Sequence, residues 1–162
     1  MFLYHGSNLE IEVPRLLKNQ RNLDFGKGFY TTSDYNQAES WALRTARIRK
    51  EGKAIVSYYE VEDNALEKLK RLRFKKADKE WLDFVAANRK GISPQNDWDI
   101  IIGPVANDQT FPTILLYLDG YLDADSTIKR LLTQKLSDQY TFTTELALSK
   151  LKFIRAEYVW KK

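Results

Sequence analysis

Apolar and polar positions alternate in short runs along this chain, and the runs are separated by stretches with a helical period. Residues 2–5 (Phe2-Leu3-Tyr4-His5) and 28–32 (Gly28-Phe29-Tyr30-Thr31-Thr32) are aromatic and β-branched and read as strands, the second flanked by a glycine that permits close approach. Ser33 or Asp34 then offers a side-chain oxygen to free backbone N–H groups. Ala38, Trp41, Ala42, Thr45 and Ala46 follow at the i, i+3, i+4, i+7, i+8 spacing that predicts a helix with one inward face. Its opposite face carries Glu39, Arg44, Arg47 and Lys50. Residues 54–61 have the β propensity of a third strand. Residues 65–90 read as helical in one or two pieces, and 98–105 as a buried strand that Gly103-Pro104 ends. Two further helical stretches, 110–122 and 125–136, precede strand candidates at 139–144 and 153–160, which a helical turn at 145–151 separates. Mixed strands and helices without strict βαβ alternation predict an α+β fold with a largely antiparallel or split sheet.

Length and composition narrow the chemistry. At 162 residues without repeats or Pro/Gly/Ser-rich linkers, the chain reads as one domain, 1–162, able to bury about two-thirds of its unfolded surface. Cysteine is absent, which removes thiol catalysis, thiolate metal sites and disulfides. The amino-terminal segment lacks a basic region and a long apolar run, so the expectation is a cytoplasmic protein without a membrane span. A net charge of +4 is too mild to indicate a nucleic-acid binder by itself. Aromatic residues reach 13 % of the chain, which suits a pocket for a flat ligand.

His5 is the only histidine, so a His-rich zinc site is excluded and a Ser-His-Asp triad would have to use it. Gly26-Lys27-Gly28 satisfies neither the Walker spacing nor the G-x-G-x-x-G fingerprint. A nucleotide site in this chain is therefore of another kind.

Leu3-Tyr4-His5-Gly6-Ser7 followed by Phe25-Gly26-Lys27-Gly28-Phe29-Tyr30 resembles the two NAD-binding strands of the ADP-ribosyltransferase superfamily, in its diphtheria-toxin and poly-ADP-ribose polymerase branch. The run 21–32, the pattern Ala38-Glu39-Ser40-Trp41-Ala42 and the stretch 97–108 extend the likeness to a family of small bacterial ADP-ribosyltransferase-like domains, often encoded beside antitoxin-like proteins. The resemblance implies a split β-sheet with peripheral helices, NAD as co-substrate and no metal. It also implies a mono-ADP-ribosyltransferase of toxin-like character, with a macromolecular acceptor (protein or nucleic acid) and an antitoxin protein as partners.

Carried over residue by residue, the resemblance gives His5 a ribose hydroxyl and the Gly6 backbone the nicotinamide carboxamide. Tyr30 and, eleven residues on, Trp41 would hold nicotinamide between two rings. Ser7, Gly28 and Thr32 lie in the same cofactor-binding strands. Ala38 falls where the polymerase branch has a carboxamide-binding serine, a contact left to Ser40 or Thr32. At the position of the superfamily's catalytic glutamate stands Gln139, which can hold a hydroxyl but offers no negative charge to a cationic sugar. Losing one such contact costs about 100- to 1000-fold in rate. This motivates a second reading, a non-catalytic NAD or ADP-ribose binder acting through a partner.

Two segments stand outside that pattern. Lys68 to Lys76 holds six basic residues of nine, with Leu66, Leu69 and Leu72 available for an inward stripe, and reads as a solvated helix face or a dock for nucleic acid or an antitoxin. Residues 107–109 follow a predicted strand end, beside the expected pocket.

Overall fold

The computed structural model describes residues 1–20, 23–92, 97–106, 110–133 and 135–160. In chain order the elements are β1 (Phe2–Ser7), β2 (Phe29–Thr31), α1 (Tyr35–Arg49), β3 (Ile55–Glu60), α2 (Asp63–Glu67), β4 (Arg71–Arg73) and α3 (Lys79–Arg89). There follow β5 (Ile100–Pro104), α4 (Phe111–Leu118), α5 (Ala124–Leu131), β6 (Asp138–Phe142), α6 (Glu145–Leu148) and β7 (Lys152–Tyr158). The expected α+β mixture is thus observed. The strands form a three-stranded sheet, β1-β3-β7, and a four-stranded sheet, β2-β6-β5-β4. Every pairing is antiparallel except β4 with β5.

Among the described residues the two sheets meet at one backbone bridge. Tyr4 N–H donates to Thr32 O at 2.8 Å, and Thr32 N–H returns to Tyr4 O at 3.0 Å. Side chains finish the junction: Leu3 and Tyr59 from the first sheet pack with Phe29, Ile100, Ile102 and Phe142 from the second in one buried cluster. Each such side chain, fully buried, contributes roughly 1.5–3 kcal/mol of transfer free energy. On the other face of the four-stranded sheet, Ile101 packs with Phe25 and with Trp81, Leu82 and Val85 of α3, Ile114 of α4 and Leu131 of α5.

Asp34, not Ser33, caps α1, accepting from Asn36 N–H at 3.0 Å. The predicted inward stripe is observed at its centre, where Ala38 and Ala42 are fully buried with Val56. These alanines lie directly on β1. A Cβ on Gly6 would fall 1.9 Å from Ala38 O and 2.7 Å from Ala42 N, so glycine at that position lets helix and strand touch through their main chains.

The expected helical reading of 65–90 is corrected by a strand in its middle. Residues 71–74 read Arg-Leu-Arg-Phe, a period of two, and β4 pairs with β5 from Arg71 opposite Ile100 to Arg73 opposite Ile102. The Leu66, Leu69 and Leu72 stripe is divided accordingly. Leu66 and Leu69 join the cluster between the sheets, whereas Leu72 packs against the α3 side.

Candidate functional site

Ladder alternation defines the edges that face each other beyond the bridge. Met1 exchanges hydrogen bonds with Val61, so Leu3, His5 and Ser7 direct their backbone groups to β3, while Tyr4 and Gly6 direct theirs to the opposite edge. Tyr4 uses that edge for Thr32. On β2, Thr32 and Tyr30 direct theirs back toward β1. Past the bridge no further backbone pair joins the two strands among the described residues, and the main chains of Gly6 and Tyr30 stand opposite each other unpaired. Among the described residues, the contact across this gap is a hydrogen bond from His5 Nδ1 to Tyr30 O at 2.6 Å.

That bond settles the imidazole tautomer. Tyr30 O is an obligate acceptor, so Nδ1 carries the proton and Nε2 presents a lone pair. The ring stacks on Phe29 with centroids 4.3 Å apart. Burial lowers the His5 pKa to about 4, with Arg49 pushing the same way against the raising effect of the Tyr30 carbonyl. His5 is therefore neutral at pH 7. Arg49 is held at the end of β1 by Asn8, Nη1 to Oδ1 at 3.1 Å.

A pH dependence follows. With a folded pKa below the unfolded value of 6.5, this group's contribution is fully present above about pH 6.5 and is lost as pH falls toward 4. The loss is on the order of 2–3 kcal/mol. Urea midpoints measured from pH 7 to pH 4 should fall more steeply for the native chain than for His5→Gln. Parallel curves would mean that His5 does not titrate as described.

The other expected residues fall in different surroundings. The Tyr30 side chain turns to the opposite face from Phe29, toward the Phe25 and Trp81 cluster. Its hydroxyl donates to Gly26 O at 2.6 Å and accepts from Phe25 N–H at 3.0 Å, and burial, with the Asp24 charge, raises its pKa far above the ordinary phenol value. The structure thus joins His5 and Tyr30 through the Tyr30 carbonyl, while their rings lie against different clusters. Gln139 shares the Tyr30 face of the four-stranded sheet, is 1 % exposed, and donates from Nε2 to Pro104 O at 3.3 Å. Thr32 is buried, and its hydroxyl accepts from Asp34 N–H at 3.0 Å in the turn before α1. Ser7 is buried on the His5 side of β1. Trp41 is half-buried on α1, next to the Ala38 and Ala42 seam with Gly6. Residues 107–109 lie outside the described residues, as do Arg21 and Asn22 of the glycine-flanked run.

Gly28 is occupied by the chain itself. Gln20 donates from Nε2 to Gly28 O at 2.8 Å and accepts Gly28 N–H on Oε1 at 2.9 Å, so both main-chain groups are satisfied. A Cβ at Gly28 would meet Thr141 Cγ2 at 2.6 Å.

Sequence reasoning did not find the pair that anchors the segment before β2. Asp24 is buried, bridged to Arg89 Nη2 at 2.5 Å and Nε at 2.7 Å, and accepts Ala106 N–H at 3.2 Å. Asn88 Nδ2 adds a bond to Asp24 O at 3.1 Å. The Arg89 guanidinium lies 4.6 Å from the Phe111 ring centre. No local motif marks partners 65 residues apart. Phe29 beneath the imidazole was not read either, because strand parity says that only one of Phe29 and Tyr30 faces the His5 ring but not which.

Among the described residues, no group of three or more His, Cys, Asp or Glu side chains is placed to hold a metal ion. No helix among them is long and apolar enough to cross a membrane. A family model described as a protein of unknown function (DUF3990) matches residues 1–153. No curated protein and no solved structure matches the chain.

Proposed function

We infer, for a chain that belongs to the DUF3990 family, an NAD-dependent mono-ADP-ribosyltransferase on an ADP-ribosyltransferase-like split sheet. One observation carries the reading: the main-chain edge of Gly6, without a backbone partner among the described residues, faces Tyr30 beyond the Tyr4–Thr32 bridge, beside a neutral imidazole whose Nε2 has no hydrogen bond to a described residue. A carboxamide needs one donor and one acceptor side by side. The Gly6 N–H and C=O supply both on one edge. Nε2, an acceptor in this tautomer, suits a ribose hydroxyl. Trp41, half-buried on α1 beside the seam with Gly6, stacks on nicotinamide in this reading, while Tyr30 contributes its main chain and holds the 25–26 turn in place.

The reaction in this reading breaks the bond between the ribose C1′ and the nicotinamide ring nitrogen. The electron pair leaves with nicotinamide, an acceptor nucleophile forms the new bond to C1′, and its proton passes to solvent. Gln139 places no negative charge beside the cationic sugar, so turnover is slow. A glutamate there would have to be protonated to keep the bond to Pro104 O, which makes Gln139→Glu a poor route to faster chemistry.

The commitment of the Gln139 amide to Pro104 also favours a second reading, a domain that holds NAD or ADP-ribose intact and acts through a protein partner. Calorimetry with NAD and a chromatographic assay of released nicotinamide separate the two. Both readings expect saturable NAD binding that His5→Ala weakens at least tenfold, about 1.4 kcal/mol. Nicotinamide release selects the transferase, and intact NAD after long incubation selects the binder. Absence of binding at millimolar NAD rejects both.

A further inference from the structure

The exposed edge of the four-stranded sheet has the makings of a polyanion dock. β4 ends the order β2-β6-β5-β4, so one side of it pairs with β5 and the other has no strand beside it among the described residues. Along and around it stand Lys68, Lys70, Arg71, Arg73, Lys75 and Lys76, all exposed and none in an ion pair with a described residue. Arg71 and Arg73 sit two residues apart on one strand, on the same face and about 6.6 Å apart along it. That interval is close to the spacing of successive phosphates in an extended single strand.

A hollow of about 230 Å³ opens at the end of this row, lined by Arg73, Lys75, Phe74, Ser137, Asp138 and Tyr140 among others. The half-buried Tyr140 ring gives it an aromatic wall. Its one carboxylate is already engaged: Asp138 accepts from Ser33 N–H at 3.0 Å and from Ser33 Oγ at 2.6 Å. The neighbouring acids are engaged as well, Asp63 with the Met1 amino group and Asp99 with Lys70 N–H and Thr144 Oγ1. These carboxylates keep their charge, but the six cations outnumber Asp63, Glu67, Asp99 and Asp138, so net positive charge remains on the β4 row.

We propose that β4 and the adjoining hollow bind single-stranded nucleic acid, with phosphates along Arg71, Arg73 and Lys75 and a base against Tyr140. Cations in a line with an aromatic hollow among them match single strands, which offer evenly spaced charge together with flat rings. An acidic peptide offers the charge without the rings. A charged edge strand also guards against edge-to-edge pairing, but that duty requires neither the hollow nor the aromatic ring at its end. The proposal concerns binding alone and stands whether or not the chain cleaves NAD.

The test is fluorescence anisotropy of labelled oligo-dT and oligo-U with the full chain, without NAD, over a range of salt. Binding should weaken linearly on a log–log scale by about 0.7 per phosphate contacted. Arg71→Glu/Arg73→Glu/Lys75→Glu should lower affinity at least tenfold and flatten the slope by about 2. The milder Arg73→Gln/Lys75→Gln should do so in part, with an unchanged circular dichroism spectrum. Tyr140→Leu should weaken binding several-fold and leave the slope unchanged. Reversal of three exposed lysines elsewhere, Lys18, Lys90 and Lys129, should have little effect. Absence of binding, an equal effect of the control reversals, or equal competition by polyglutamate overturns the proposal.

Discussion

Gly6→Ala is expected to destabilise the chain more than any other single methyl addition in β1, by about 3–5 kcal/mol, because backbone atoms lie where the new carbon must go. The contacts are 1.9 Å to Ala38 O and 2.7 Å to Ala42 N, both within the main chain of α1, so no rotamer change relieves them. Relief requires the helix to move off the strand. That movement would open the Ala38, Ala42 and Val56 cluster. A thermal melt should show a midpoint lowered by roughly 6–20 °C, using about 2–4 °C per kcal/mol for a chain of this size. If Gly6→Ala melts within 2 °C of the native chain, α1 does not lie on β1 as described. The variant also bears on function, since the Gly6 edge facing the gap is fixed by that same contact. A ligand-facing glycine would tolerate alanine for folding and lose only binding, whereas this arrangement predicts loss of both.

Arg89→Met is expected to cost about 3 kcal/mol for a different reason. It leaves the Asp24 carboxylate in a buried position with Ala106 N–H as a remaining donor. The partial exposure of Arg89 keeps the figure at the low end of the range for broken buried pairs. The double variant carries the signature. Asp24→Asn/Arg89→Met should recover much of the loss, because the amide oxygen can still accept from Ala106 and no charge is buried. Urea denaturation of the single and double variants at pH 7 measures both. Equal destabilisation by single and double variants would show that packing of the arginine stem, and not the stranded charge, sets the cost.

Much of this architecture was legible because period and punctuation agree. Phe2 to His5, the glycine-flanked Phe29 to Thr31 and the 54–61 run were read as strands from β-branched and aromatic content, and each is a strand within a residue or two of its expected ends. The alanine stripe of α1 was legible for the same reason. What the period could not reveal was pairing at a distance. Arg71 to Phe74 alternates over too few residues to stand out from a basic run with helical spacing, and it becomes a strand because β5 lies beside it. The Asp24–Arg89 pair and the Gln20 clasp on Gly28 depend on where loops return in space. For the candidate site, the His5-Gly6 pair and the strand at Tyr30 were legible as neighbours. That they would be joined through a carbonyl, with Phe29 beneath the imidazole and Tyr30 on the far face, depends on strand parity at a junction between two sheets.

The ladders also dictate an order of assembly. Among the described residues β2 is laddered by β6, with Thr31 and Tyr140 bonded across 109 residues, and β3 is completed on its outer side by β7. Pairings of such long range are slow to form because the loop between them must close first. On the ribosome, the amino-terminal residues that hold His5 and Tyr30 would emerge early and wait, without their supporting strands, until the segment from Asp138 to Tyr158 has been made. The edge that carries His5, Gly6 and Tyr30 would therefore be assembled only once the segment from Asp138 to Tyr158 has emerged.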